Sequence, residues 1–261
     1  MKLALCIGIN DYPGTDNDLA GCRNDADDWS AALIARGFDT RRLLDAAASG
    51  AAIREAIRDL LARSAAGDAV VITYSGHGTW VPDENGDEPD HRDEALCPWD
   101  TAENGPLIDD ELHDLFAAAA PGVRTVLISD SCHSGTLTRL HHPLGDHPGR
   151  ARFLPPSSFL PPPQRLRAAL TAGTPRQPDP RPTALLLAGC RDTEYSYDGE
   201  FNGRPNGAFT YVALATLADL PESATYRDWL KAIRGRLPSQ DYPQTPALQA
   251  THAQLSWPVL S

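Results

Sequence analysis

The sequence predicts one α/β domain in which a mainly parallel central sheet carries helices on both faces, and three observations predict it. Four short runs, Leu3 to Ile9, Ala69 to Tyr74, Arg124 to Ser129 and Thr183 to Ala188, are almost continuously apolar, as strands buried on both faces are. The stretches between them repeat apolar residues at three-four spacing, the mark of amphipathic helices. At 261 residues the chain is long enough to bury one full core. Such an arrangement places ligands at the carboxyl ends of the strands.

In chain order, MKLALCIGIN reads as a first strand, being too short and too quickly polar for a signal peptide. Leu19, Cys22, Ala26, Trp29 and Leu33 mark the first helix, and Ile53, Ile57, Leu60 and Leu61 the second. After the strand at Ala69, Leu112, Leu115, Phe116 and Ala119 mark a third helix that leads to the strand at Arg124. From Leu137 to Pro182 proline is dense, arginine recurs and apolar periodicity is lost, so this segment reads as a flexible linker. It divides the domain (1–261) into a larger part, 1–136, the linker, 137–182, and a smaller part, 183–261. Beyond the fourth strand, Phe209, Val212, Ala213, Thr216 and Leu217 mark one helix, and Tyr226, Trp229, Leu230, Ile233 and Leu237 another.

The hydrophobic share of 41% is ordinary for a globular domain. No apolar run reaches the length that spans a bilayer. Five scattered cysteines without a C-x-x-C pair speak against a disulfide framework or a zinc site, and favour a reducing cytoplasm. A formal net charge of −12 repels nucleic acid and favours cationic ligands or metal ions. Lys2 and Lys231 are the only lysines, an arginine bias that points to a GC-rich bacterial genome.

Two strand ends carry the chemistry. One runs into Tyr74-Ser75-Gly76-His77-Gly78 and the other into Ser129-Asp130-Ser131-Cys132-His133-Ser134-Gly135, which puts a histidine and a cysteine on one edge of the sheet. A thiol is only a few per cent thiolate at pH 7 and needs a base beside it. His77 is suited to that role and to protonating a leaving amine. The amides of Gly78 and Cys132 are candidates for holding an oxyanion. His133 is a rival base, but a sequence neighbour of Cys132 generally points elsewhere.

YSGHG, followed about 55 residues after its histidine by the cysteine of DSCHSG, resembles the catalytic pair of metacaspases, the caspase relatives of bacteria, plants, fungi and protozoa. The stretches LALCIGINDYPG, LAGCRNDADDW, DEALCPWD, IDDEL, AGCRDTEYSYDG and GAFTYVAL resemble the family too. The resemblance implies a caspase-like three-layer sandwich and a cysteine endopeptidase. It also implies a pocket for Arg or Lys before the cut bond, built from Cys22, Asp25, Ser75 and Asp130. Two carboxylates at the base of a pocket suit a guanidinium. The acidic stretch from Asp83 to Glu94 does not fit the EF-hand template. In the family, acids matching Asp93, Asp109 and Asp110 bind calcium, with a fourth where this chain has Arg139; Asp146 is a possible substitute.

The expectation is therefore a cytoplasmic, monomeric peptidase that cuts proteins or peptides at exposed Arg, less well Lys. It needs no cofactor for its chemistry, calcium stimulates it, and an upstream activator is possible. Self-cutting in the linker is also expected, with Arg165 and Arg167 favoured over Arg139, Arg150, Arg152, Arg176 and Arg181. The competing readings are the same dyad with another specificity, and an inactive signalling or calcium-binding module.

Overall fold

The computed structural model describes residues 1–82, 92–132, 149–162, 164 and 183–261. Its centre is a six-stranded sheet built from β1 (Lys2–Gly8), β2 (Asp39–Leu44), β3 (Ala69–Ser75), β7 (Arg124–Asp130), β9 (Leu185–Ala188) and β12 (Ala247–Gln249). The spatial order is β12-β9-β7-β3-β1-β2, and all neighbours are parallel except β12 against β9. β4 (Gly78–Pro82), β5 (Arg92–Leu96) and β6 (Leu107–Ile108) form a small second sheet. β8 (Arg150–Ala151), β10 (Tyr197–Phe201) and β11 (Arg204–Gly207) form a third.

Strand side chains alternate between the two faces of the central sheet. Leu3, Leu5, Ile7, Val70 and Ile72 face one core, while Ala4, Cys6, Ala69 and Val71 face the other. The first core is closed by α2 (Gly50–Ala62) and α4 (Asp109–Ala117) through Ile53, Ile57, Leu60, Leu112, Leu115 and Phe116. The second is closed by α1 (Cys22–Ile34) and the two helices labelled α5 (Ala208–Ala218) and α6 (Tyr226–Arg234). Trp29 and Trp229 meet there edge to face, with ring centroids 6.0 Å apart. Each fully buried large aliphatic side chain contributes about 1.5–3 kcal/mol, so the sandwich holds because the apolar alternation of the strands matches the stripes of the helices. α3 (Thr101–Asn104) is a single turn. Capping is local: Ser49 accepts from the Ala52 amide, and Thr225 with Asp228 makes a reciprocal capping box on α6.

All four predicted strands and five predicted helices are present, with shifts of a few residues at their ends. The linker expectation needs correction where the chain is described. Residues 149–162 are not an open excursion, since β8 pairs with β10 and Phe153, Leu154 and Leu160 are buried. The pairing satisfies the backbone and the apolar side chains find a core, which the density of proline conceals. Among the described residues no helix is long and apolar enough to cross a membrane.

Candidate active site

β3 and β7 are neighbours in register, with Ser75 opposite Asp130. The chain therefore leaves both strands at the same level, and two residues further along each exit stand His77 and Cys132, both buried. Gly78 opens β4. Its amide and that of Cys132 donate to a single acceptor, the carbonyl oxygen of Arg152, at 3.0 and 3.1 Å. The Arg152 amide donates in turn to the Ser196 carbonyl at 2.9 Å, and the Leu154 amide to the Gly78 carbonyl at 2.9 Å. The chain from Arg150 to Leu154 is thus held extended across the two strand exits.

The side chain of Arg152 is fully buried (0%). Its Nη2 donates to Asp25 Oδ2 at 2.6 Å and to Asp198 Oδ1 at 2.9 Å, while Nη1 lies 3.1 Å from Asp130 Oδ2 and donates to the Asp130 carbonyl at 3.1 Å. The carboxylates are themselves fixed. The Gly207 amide and the Asn206 side chain donate to Asp25; Thr210 donates through both amide and hydroxyl to Asp130, as does Ser196 through its hydroxyl. Gly207 has to be glycine, because a Cβ there would lie 2.1 Å from Asp130 Oδ2 and 2.5 Å from Arg152 Nη1. Burial lifts the Asp25 carboxyl to about 6; Arg152 opposes the rise and Asp130 adds to it. Cys22 is buried beside this cluster, and burial pushes its thiol up against the lowering effect of Arg152. The Ser75 hydroxyl makes no hydrogen bond among the described residues, so of the four expected pocket residues Asp25 and Asp130 reach the guanidinium directly.

His77 is held from several sides. Its amide donates to the Tyr12 hydroxyl at 2.7 Å, and its carbonyl accepts from Tyr74 Oη at 2.7 Å. The ring lies 4.7 Å from that of Tyr12, and Nε2 meets the Asn17 carbonyl at 2.5 Å. A carbonyl only accepts, so Nε2 carries the proton and Nδ1 is left as the basic atom. Nδ1 is buried and makes no hydrogen bond among the described residues. Burial lowers the His77 pKa to about 4, with the Asn17 contact working in the other direction. The Cys132 thiol donates to the Ser196 carbonyl at 3.3 Å and takes the Ser196 amide. Cys190 is its neighbour in a small apolar cluster with Trp80, Phe153 and Leu160, and the contact with Cys132 raises the Cys190 thiol well above its usual range.

A family model described as the caspase domain matches residues 1–255. The chain belongs to the caspase-domain family. The domain is 33% identical to Metacaspase-1 of Cryptococcus neoformans over 96% of its own length and 62% of that protein. It is 42% identical to Metacaspase-7 of Arabidopsis thaliana over 52% of its own length and 35% of that protein. The chain therefore spans less than two thirds of these relatives. Among solved structures it resembles a Geobacter sulfurreducens protein with TM-score 0.78 and 33% identity, covering 100% of this chain and 98% of that one. Caspase-1 of Spodoptera frugiperda, at 13% identity and TM-score 0.61, shares the fold over 95% of this chain and 86% of that one.

Three members of the caspase-domain site were not anticipated. Asp198 adds a third carboxylate around the Arg152 guanidinium and also accepts from the amides of Ala20 and Gly21. It stands in the stretch AGCRDTEYSYDG, where the strand alternation of Ser196 and Asp198 was the available signal. Asn17 contributes through its backbone, which a side-chain pattern does not reveal. Arg152 was one of seven arginines considered, and the favoured Arg165 and Arg167 lie outside the described residues, as do His133, Arg139 and Asp146. The available signal was its setting, Ala151 before it and Phe153-Leu154 after it, although Arg167, between Leu166 and Ala168, shares an apolar context in the sequence.

For calcium, Asp93 lies on β5, and Asp109 and Asp110 open α4 directly after β6, which pairs with β5. Oxygen donors of this kind suit the ion. Among the described residues, however, no group of three or more His, Cys, Asp or Glu converges as a metal site. The fourth position of the expected set, Arg139, and its substitute Asp146 lie outside the described residues.

Proposed function

We propose that this caspase domain is a cysteine endopeptidase that cuts after arginine, less well after lysine, and that the Arg152–Phe153 bond of its own chain is bound as a substrate. One observation carries the reading: the Arg152 carbonyl accepts from two convergent amides while its guanidinium lies among three carboxylates. In the proposed reaction His77 Nδ1 takes the Cys132 proton as sulfur bonds to the Arg152 carbonyl carbon, and the electron pair of the C=O moves to oxygen. Gly78 and Cys132 amides stabilise that oxyanion, which is worth roughly 10²–10³ in rate per donor. When the intermediate collapses the C–N bond breaks and His77 returns the proton to the Phe153 nitrogen. Water then cleaves the thioester with His77 as base, releasing the Arg152 carboxylate and regenerating the thiol. The preference for Arg over Lys follows from donor geometry, since one ammonium does not span acceptors that a planar fork reaches together.

Intact mass spectrometry tests this directly. Wild-type protein is expected to yield the fragments Met1–Arg152 and Phe153–Ser261, whereas Cys132→Ala stays whole. A chain that remains intact while it cuts an added arginyl peptide would remove the self-cutting part alone. The competing reading, an inactive module on this fold, is favoured if a labelled arginyl chloromethylketone leaves Cys132 unmodified.

The pocket also sets a pH dependence. Asp25 titrates at about 6, above the usual carboxylate range, because it is buried beside another carboxylate. It is charged above that value and becomes neutral as pH falls through it, so arginine binding is present above pH 6 and fades below. A profile of kcat/KM against pH for an arginyl peptide, which enters once Arg152 and its lowering effect have left the site, should show an acid limb at or above 6 that is missing in Asp25→Asn. Equal limbs in both chains would assign it to another group.

A further inference from the structure

Both sides of the Arg152–Phe153 bond belong to the fold. On the side that would leave, Leu154 is fully buried (0%) in the first core, and Phe153 and Leu160 are buried in the small cluster with Trp80 and Cys190. The Phe153 ring stands 6.1 Å from that of Tyr195. The backbone is held as well: the Leu154 amide donates to the Gly78 carbonyl at 2.9 Å, and the Leu154 carbonyl accepts from the Thr79 hydroxyl at 2.7 Å. On the other side β8 pairs with β10, and the buried Arg152 guanidinium is fixed by Asp25, Asp130 and Asp198. Each of these contacts lies wholly to one side of the bond, so each survives its breaking. An ordinary leaving amine diffuses away before the acyl-enzyme is hydrolysed. The Phe153 nitrogen is held where it was made.

Resting on the reading of Arg152–Phe153 as bound substrate, we propose that the site has a second activity, peptide ligation, and rejoins Arg152 to Phe153 as well as cutting between them. In the joining step the neutral Phe153 amine attacks the carbonyl carbon of the Cys132–Arg152 thioester, a C–N bond forms, and His77 Nδ1 takes the proton from that nitrogen. The C–S bond then breaks, sulfur keeps the electron pair, and His77 passes the proton to it, which restores the thiol. No co-reactant enters. The amides of Gly78 and Cys132 hold the same oxyanion in both directions. Groups held in reacting position reach effective concentrations of about 10⁵–10⁸ M, so the tethered amine outcompetes water for the thioester. His77, Cys132 and Arg152 are buried, which limits the access of water further. A chain that has been hydrolysed returns by the reverse path, its Arg152 carboxylic acid condensing with the Cys132 thiol and releasing water before the amine attacks. Cutting frees little chain entropy while both ends stay packed, so the intact and cut forms coexist.

Intact mass of the wild-type and Cys132→Ala chains decides it, in heavy-oxygen water and, separately, with hydroxylamine. Hydroxylamine captures the thioester as the Arg152 hydroxamate after the peptide bond is already cut, so it speeds the loss of full-length chain only where the acyl-enzyme otherwise reverts. The expected result is a loss about tenfold faster or more with hydroxylamine, the tethered amine being the stronger competitor in its absence. Full-length wild-type chain should also gain heavy oxygen, mapped by peptide digestion to the Arg152 carbonyl, while Cys132→Ala shows neither effect. Equal rates with and without hydroxylamine, cutting that runs to completion and no label in the remaining full-length chain would overturn ligation and leave self-cutting standing. A wild-type chain that stays whole and unlabelled even in hydroxylamine, while it cuts an added arginyl peptide, would remove self-cutting and ligation together. Failure to cut that peptide would overturn the underlying reading as well. Label in full-length Cys132→Ala would assign the exchange to another group and overturn the proposal.

Discussion

Cys132→Ala is expected to lower peptidase activity by about four orders of magnitude or more, the scale seen when a nucleophile that acts together with its base is removed. The residue is fully buried, but alanine leaves only a small void in place of the thiol, and the two amides that meet the Arg152 carbonyl belong to the backbone. The variant should therefore keep its fold and its extended 150–154 segment, and should melt close to the wild-type temperature. Steady-state rates on an arginyl peptide, with contaminating protease excluded by an active-site titrant, check it. Residual activity above a few per cent of wild type would mean that Cys132 is not the nucleophile.

Asp25→Ala has the second-largest expected effect. Stranding one half of a desolvated, hydrogen-bonded charge pair costs about 2–5 kcal/mol, or roughly 30-fold to several thousand-fold in kcat/KM. The loss should fall on arginyl peptides and be much smaller on peptides with citrulline in that position, which keep the shape and lose the charge. Asp130 and Asp198 still line the pocket in this variant, so the lower half of the range is the better guide. Comparable losses on both peptide types would show that the substitution disturbs the fold of the site rather than charge recognition.

The central sheet was legible because β1, β3, β7 and β9 are covered on both sides and their apolar runs have no rival explanation. β2 was not legible: it is an edge strand in which Leu43 alone is buried, and its pairing with β1 runs through backbone groups that any side chain would allow. The small sheets escaped for a similar reason, since strands of two to five residues that carry Arg92, Asp93, Asp198 and Asn206 do not alternate cleanly. At the site, the placement of His77 and Cys132 just beyond neighbouring strands could be read from the two strand ends, and the family resemblance named Asp25 and Asp130, which stand at the Arg152 guanidinium. What could not be read was the register of the linker against β10. That register selects Arg152 among the linker arginines, and it is decided by where Phe153 and Leu154 find a core.

Because Arg152 belongs to the same chain as Cys132, its encounter with the pocket does not depend on how much protein is present. Self-cutting should be first order, with one half-life across a wide dilution series, whereas cutting between molecules would slow in proportion to dilution. The same tether bears on any foreign substrate, which has to compete with an arginine whose local concentration is set by chain length and not by the solution. Diluting the protein will not relieve that competition; only raising the substrate, or removing the segment that carries Arg152, will.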